Sequence, residues 1–201
     1  MDKQGIATRR QARWSPRAFL KNRRGVAAIE FAMITPLLLV FYFFVMELGQ
    51  GIETSKKISR VGSMVADLVS QQGRYVETAD LDPIMAIGEA ILQPYNRSRA
   101  DIIITGIEID KDSKAKVKWS RKMEAGAFGR GAEEGDAATV PEDLKIPETF
   151  LLRVTAKLGY SPIVTDKTAA FGLLNAFDDI PMSETYYLRP RMSTDIRCSN
   201  C

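Results

Sequence analysis

The residues of this chain that could do chemistry are few, and their spacing restricts what that chemistry is. Gly25 and Val26 sit between a basic arm and an apolar run, and a single carboxylate, Glu30, follows four residues later. From Val26 to Met46 the only other interruptions are Thr35 and Pro36. A carboxylate inside a membrane-length apolar run is costly to keep there and marks a functional position. Two cysteines, Cys198 and Cys201, form a Cys-x-x-Cys near the end of the sequence. They suit a local disulfide outside a reducing compartment. No βαβ pattern precedes them, as it does in thiol redox motifs. The chain has no histidine, so it lacks the commonest general base at neutral pH and a usual zinc ligand. No metal site, cofactor or catalytic residue is expected. The acid pairs Glu133-Glu134 and Asp178-Asp179 read as solvated loop charges. Gly126-Ala127-Phe128-Gly129-Arg130-Gly131 has phosphate-loop-like glycines without the flanking strand and helix or the Lys-Ser/Thr that a phosphate cradle requires. It reads as a flexible loop.

The charge distribution says where these residues sit. The 201 residues carry a formal net charge of +3, from 28 basic and 25 acidic side chains. Residues 1–25 hold Lys3, Arg9, Arg10, Arg13, Arg17, Lys21, Arg23 and Arg24 against Asp2 alone. The remainder therefore has 20 basic and 24 acidic groups, an acidic excess. A basic arm directly before an apolar run fixes membrane orientation more simply than it binds nucleic acid. Residues 1–25 are expected to be a cytoplasmic, unstructured leader. Residues 26–48 are expected to cross the membrane, and 49–201 to form a periplasmic domain. The 21 residues from Val26 to Met46 would span about 32 Å as a helix, enough for a hydrocarbon core. A secretory signal would have a shorter apolar core and a small-x-small cleavage site. Here the run ends in Glu47-Leu48-Gly49-Gln50-Gly51. Glu47 is expected at the outer boundary, facing water.

Beyond the membrane run, Ile58, Val61, Val65 and Leu68 recur in steps of three and four, so the helix is expected to continue as an amphipathic one to Gln71-Gln72, with Gly73 as C-cap and any bend at Gly49 or Gly51. A second helix is signalled by Asp80 or Asp82 as cap and Pro83 in the first turn, with Ile84, Ile87 and Ile91 as its apolar face and Pro94 as its end. Residues 102–109 and 114–119 alternate around Lys111-Asp112-Ser113 and predict a hairpin. Residues 121–148 read as a long surface loop, 150–158 as a third strand, 167–177 as a short helix and 185–189 as an edge strand before Pro190. Trp119, Tyr186 and Tyr187 are expected in the core or on a sheet face. The predicted class is α+β: a small antiparallel sheet packed on the outer half of a long N-terminal helix, pilin-like in plan.

Gly25-Val26-Ala27-Ala28-Ile29-Glu30-Phe31-Ala32, with Pro36-Leu37-Leu38 and Glu47-Leu48-Gly49, resembles the N-terminus of TadE-like proteins, minor pilins or pseudopilins of the tight-adherence (Flp-type) pilus machinery. The likeness covers roughly residues 23–50 and is looser beyond, where it rests on Tyr187-Leu188-Arg189-Pro190-Arg191. It implies a leader cut between Gly25 and Val26 by an inner-membrane prepilin peptidase, with Phe31 and Pro36 completing the membrane-entry motif. Glycine at the cut lets the backbone extend into a narrow site. Cleavage would free an amine on Val26 one helical turn from Glu30. That carboxylate could pair with its own or a neighbour's amine, lowering the cost of both charges in an apolar setting. The resemblance implies that Glu30 guides the subunit into a fibre. The partners implied are the peptidase, the inner-membrane assembly platform, other pilins and the membrane, with no nucleic acid. The expected protein is not an enzyme. It is a minor pilin or assembly factor, single-pass in the inner membrane, with the extracellular pilus as a further destination. Two alternatives remain open on the residues: an uncleaved structural protein of the same apparatus, and a membrane-tethered thiol oxidoreductase using Cys198 and Cys201.

Overall fold

The computed structural model describes residues 25–95, 97–162 and 180–201. The basic arm, the expected helix at 167–177 and the acid pair Asp178-Asp179 lie outside the described residues. The chain divides into two compact units, Met1–Val45 and Met46–Cys201. The class is α+β, with a long N-terminal helix and a small antiparallel sheet.

Helix α1 runs Val26–Ser70, unbroken through Pro36, Gly49 and Gly51. In the first unit its side chains are exposed, including Phe31, Leu37, Phe41 and Phe44. Thr35 Oγ1 donates to the Phe31 carbonyl at 2.6 Å, a back-bond that helices tolerate at a slight cost in straightness. In the second unit α1 buries Thr54, Ile58, Val61, Gly62, Val65, Ala66 and Val69. Ala66 and Val69 complete the stripe where Leu68 was expected; Leu68 is half-buried at its edge. Gly73 does not form a left-handed cap. Instead the Ser70 carbonyl accepts the Arg191 N–H at 2.8 Å, a partner 121 residues away that no local signal announces.

After strand β1, Tyr75–Val76, helix α2 spans Thr78–Ala90. It starts earlier than either aspartate suggests. Glu77 is the N-cap, and Asp80 acts from the third helical position by accepting the Glu77 N–H at 2.9 Å, in a capping box with Glu77. Pro83 therefore falls in the second turn, where its missing N–H removes one helix bond. The buried face is Leu81, Ile84, Met85 and Gly88, while Ile87 is exposed. That shift follows from close packing at Gly88, where a Cβ would stand 2.7 Å from Val65 Cγ2 and 3.3 Å from Val61 Cγ1.

The sheet has the order β4-β3-β2-β5-β6 with every described pairing antiparallel. Its strands are β2 Asp101–Ile109, β3 Ala115–Glu124, β4 Ala127–Arg130, β5 Thr149–Tyr160 and β6 Ile180–Leu188. The β2–β3 hairpin turns at residues 111–113 as the alternation predicts, with Ser113 at φ 60°. A bulge between Gly106 and Ile107 shifts the register of β3, so Trp119 packs in the main core while Ala115, four residues earlier, packs in the smaller cluster. One face meets α1 and α2 through Ile102, Ile104, Leu152, Val154, Ala156 and Leu158. The other face carries a smaller cluster of Ile107, Ile109, Ala115, Val140 and Leu151.

Residues 121–148 are not a structureless loop. Their first part extends β3, and Ala125 and Gly126, at φ 50° and 81°, turn the chain into β4. The glycine-rich 126–131 stretch is thus an edge strand and its turn; the glycine serves a positive φ. Further on, Lys116 bridges Ala137, Glu142–Leu144 forms a 3-10 turn, and Val140 is buried. β6 is the opposite edge strand, longer than expected, with Pro181 near its start, a position where the missing donor costs no ladder bond. Strand β7, Arg197–Cys198, pairs in parallel with β1.

Candidate functional site

Two groups of residues are candidates: the motif at the start of α1, and a polar cluster on α1 immediately after the apolar run.

Gly25 precedes the first residue of α1 and is exposed, and a Cβ built on it would meet nothing within 4 Å. Val26 opens the helix at 46% exposure, and Glu30 lies one turn on, also exposed. Phe31 is 69% exposed and Pro36 is exposed within the helix. These five residues share one short helical stretch, with Val26 and Glu30 on the same side by their spacing of four. The helix that bears them is long and apolar enough to cross a membrane, with a mean hydropathy of 2.1 over its most apolar 18-residue window.

The second group is absent from the sequence reading. Glu47 does not simply face water: its side chain is only 15% exposed. The Tyr160 hydroxyl donates to Glu47 Oε1 at 2.6 Å. Arg97 Nη1 approaches the same oxygen at 3.4 Å and donates to the Ser161 carbonyl at 2.6 Å, while Nη2 donates to Gln50 Oε1 at 2.7 Å. The guanidinium lies 5.2 Å from the Tyr95 ring centre and 5.8 Å from that of Tyr160, and the two rings stack at 5.5 Å. A flat, weakly hydrated cation over stacked aromatic faces suits arginine and not lysine. The Tyr95 hydroxyl accepts the Ser161 N–H at 3.0 Å, and Ser98 Oγ donates to the Gly159 carbonyl at 2.5 Å. Gly51 lies against the same ring, where a Cβ would stand 3.7 Å from Tyr160, an ordinary contact distance. Burial and the Glu47 carboxylate together push the Tyr160 hydroxyl up to about 12. Chemically the cluster is a fastening: the bonds described here join Glu47, Gln50, Arg97, Tyr160 and Ser161 to one another. A Glu-Leu-Gly-Gln stretch carries no local sign of a partner about 50 or 113 residues away.

The expected core aromatics fall into place. Trp119 is buried and its Nε1 donates to the Ile196 carbonyl at 2.7 Å. Tyr186 and Ser59 share a 2.6 Å hydroxyl bond, and the Tyr187 hydroxyl donates to the Thr139 carbonyl at 3.3 Å. Cys198 and Cys201 are joined as a disulfide, Cα–Cα 5.7 Å. Among the described residues no helix directly precedes them, but folding brings one: Asn200, between them, accepts the Thr78 N–H at the start of α2 at 2.8 Å. Glu133 and Glu134 are exposed, as loop charges should be.

No curated protein and no solved structure matches the chain. What does match is the helix with its motif: residues 25–61, holding Gly25, Val26, Glu30, Phe31 and Pro36, match the family model for TadE-like protein.

Proposed function

We propose that this protein is a minor pilin or assembly factor of a tight-adherence pilus, made as a precursor and cut between Gly25 and Val26 by a prepilin peptidase. Residues 26–48 hold it in the inner membrane, and residues 49–201 form its periplasmic domain. The observation that carries this reading is a coincidence. The TadE-like match covers residues 25–61, and within it a glycine stands at the boundary between the basic arm and an exposed apolar helix whose only early carboxylate is Glu30.

The physical chemistry is coherent with that role. The basic arm would keep the Gly25–Val26 bond at the cytoplasmic face. After cleavage, the Val26 amine and the Glu30 carboxylate would stand one turn apart, and each is cheaper to hold in lipid when paired. The partners are the peptidase, the assembly platform and other pilins; the role is structural and not enzymatic.

N-terminal mass spectrometry of the protein from native membranes tests this. A start at Val26 in a peptidase-competent strain and at Met1 in a peptidase-deficient one is the expected result. A start at Met1 in both would leave an uncleaved anchor of the same apparatus. A start beyond residue 46 would mean an ordinary secretory signal.

A further inference from the structure

Residues 189–201 form a strap that runs from the end of α1 to the start of α2. Arg191 Nη2 pairs with Asp67 Oδ1 at 2.5 Å, and the Arg191 N–H closes on the Ser70 carbonyl. Asp195 is gripped by Arg74 Nε at 2.9 Å and Arg197 Nε at 2.7 Å. Ile196 is wholly buried in the main core beneath Trp119 Nε1. The strap then pairs with β1 through Arg197 N–H to Arg74 O at 2.8 Å and Ser199 N–H to Val76 O at 3.2 Å. Its last described contact is Asn200 Oδ1 on the Thr78 N–H.

That contact has an unusual logic. The first N–H groups of a helix have no partner within the helix. In α2 the capping box of Glu77 and Asp80 serves the N–H groups of those two residues, and the N–H of Thr78 is met by an asparagine 122 residues away. Asn200 is one of only two residues inside the four-residue loop closed by Cys198 and Cys201. Cys198 is also held by β1, whereas Cys201 is held beyond the core contact by the disulfide alone among the bonds described. Both cysteines are half-buried, within reach of a small reductant.

We propose that the Cys198–Cys201 disulfide is a redox-controlled pin that sets Asn200 as the remote cap of α2. Reduction by a dithiol transfers two electrons and two protons to the pair. The sulfur–sulfur bond breaks, two thiols form, and the dithiol leaves as its own disulfide. The strap stays anchored at Ile196, but the loop that aims Asn200 is opened, and the Thr78 N–H at the start of α2 loses its remote partner while the sheet is untouched.

Amide exchange read by mass spectrometry on the full chain in detergent micelles tests this, with and without excess dithiothreitol. Thiol alkylation before reduction should label neither cysteine. Reduction, and the Cys198→Ser/Cys201→Ser pair, should each speed exchange at residues 78–81 about fivefold, the effect of losing one cap of ordinary strength. Asn200→Ala, with the disulfide intact, should do the same there. Residues 102–109 of β2 should not change in any of the three. Free thiols in the untreated protein would overturn the proposal. So would unchanged exchange at 78–81 on reduction, an Asn200→Ala variant without effect, or equal acceleration in β2, which would make the disulfide a general staple.

Discussion

The hydroxyl of Tyr160 donates to Glu47 Oε1 at 2.6 Å, joining the last residue of β5 to the helix residue that directly follows the apolar run. The bond spans 113 positions of sequence. It fastens a stretch of α1 whose neighbouring apolar residues, Leu48 and Ile52, are exposed and contribute little burial. Polar contacts, not hydrophobic area, therefore hold the turn from Glu47 to Gly51 on the domain.

Removing parts of this fastening should cost stability in graded steps. Tyr160→Phe deletes one hydrogen bond to a charged acceptor and should cost about 1.5 kcal/mol. Arg97→Ala removes the cation, its bonds to Gln50 and Ser161 and its packing on two rings, for about 2 kcal/mol. Urea midpoints of the full chain in detergent check both. Arg97→Lys should recover less than half of the Arg97→Ala loss, because an ammonium neither stacks nor forks. Full recovery would show that charge alone matters.

Alkaline stability should depend on the same tyrosine. Its folded value, about 12, lies above the ordinary 10. Between those values the unfolded chain loses this proton and the native one keeps it, so the native state binds more protons and stability falls as pH rises. The contribution is fully present below pH 10 and lost on the way to about 12. Chemical denaturation from pH 9 upward, compared between the native sequence and Tyr160→Phe, should show the variant with the shallower decline. Parallel declines would assign the loss to other groups.

Gly106 should admit no side chain. A Cβ there would lie 2.5 Å from Trp119 Nε1 and 2.8 Å from Phe150 Cζ. Gly106→Ala must push the indole away from its 2.7 Å bond to the Ile196 carbonyl. The overpacking and the lost buried bond together should cost about 2–4 kcal/mol, against a gain of under 1 kcal/mol from replacing glycine in a strand. A variant as stable as the native protein in thermal melts would mean the strap shifts freely, and would also weaken its role as an anchor.

Glu30→Ala should separate processing from assembly. The variant should still be cut at Gly25–Val26, since the basic arm and glycine are intact, but its incorporation or its support of fibre formation should fall at least tenfold. That corresponds to the loss of a pairing interaction of about 1.4 kcal/mol. Cleavage assayed by mass shift and surface pili counted by electron microscopy give the two readings. Normal pili in the variant would assign Glu30 to the lipid interface as a snorkelling side chain.

What the sequence determines here is whatever local periodicity and charge encode. The basic arm, the apolar run, the amphipathic continuation of α1 and the alternation of β2, β3 and β5 are each visible within a dozen residues. Hydrophobic spacing must match helix or strand geometry for a face to be buried at all. The motif from Gly25 to Pro36 is likewise contiguous and legible. Tertiary structure decided the rest. Within the glycine-rich stretch, Ala127–Arg130 became strand β4 because the edge of β3 was available to pair with it, although glycines weaken strand propensity. α2 turned Ile87 outward and Gly88 inward because the approach to Val61 and Val65 leaves no room for a side chain. Glu47 found Tyr160 and Arg97, Ser70 found Arg191, and Thr78 found Asn200. Each of these joins polar groups far apart in the chain. Their pairing is set by which unsatisfied donors and acceptors folding brings together, a demand that no residue signals alone.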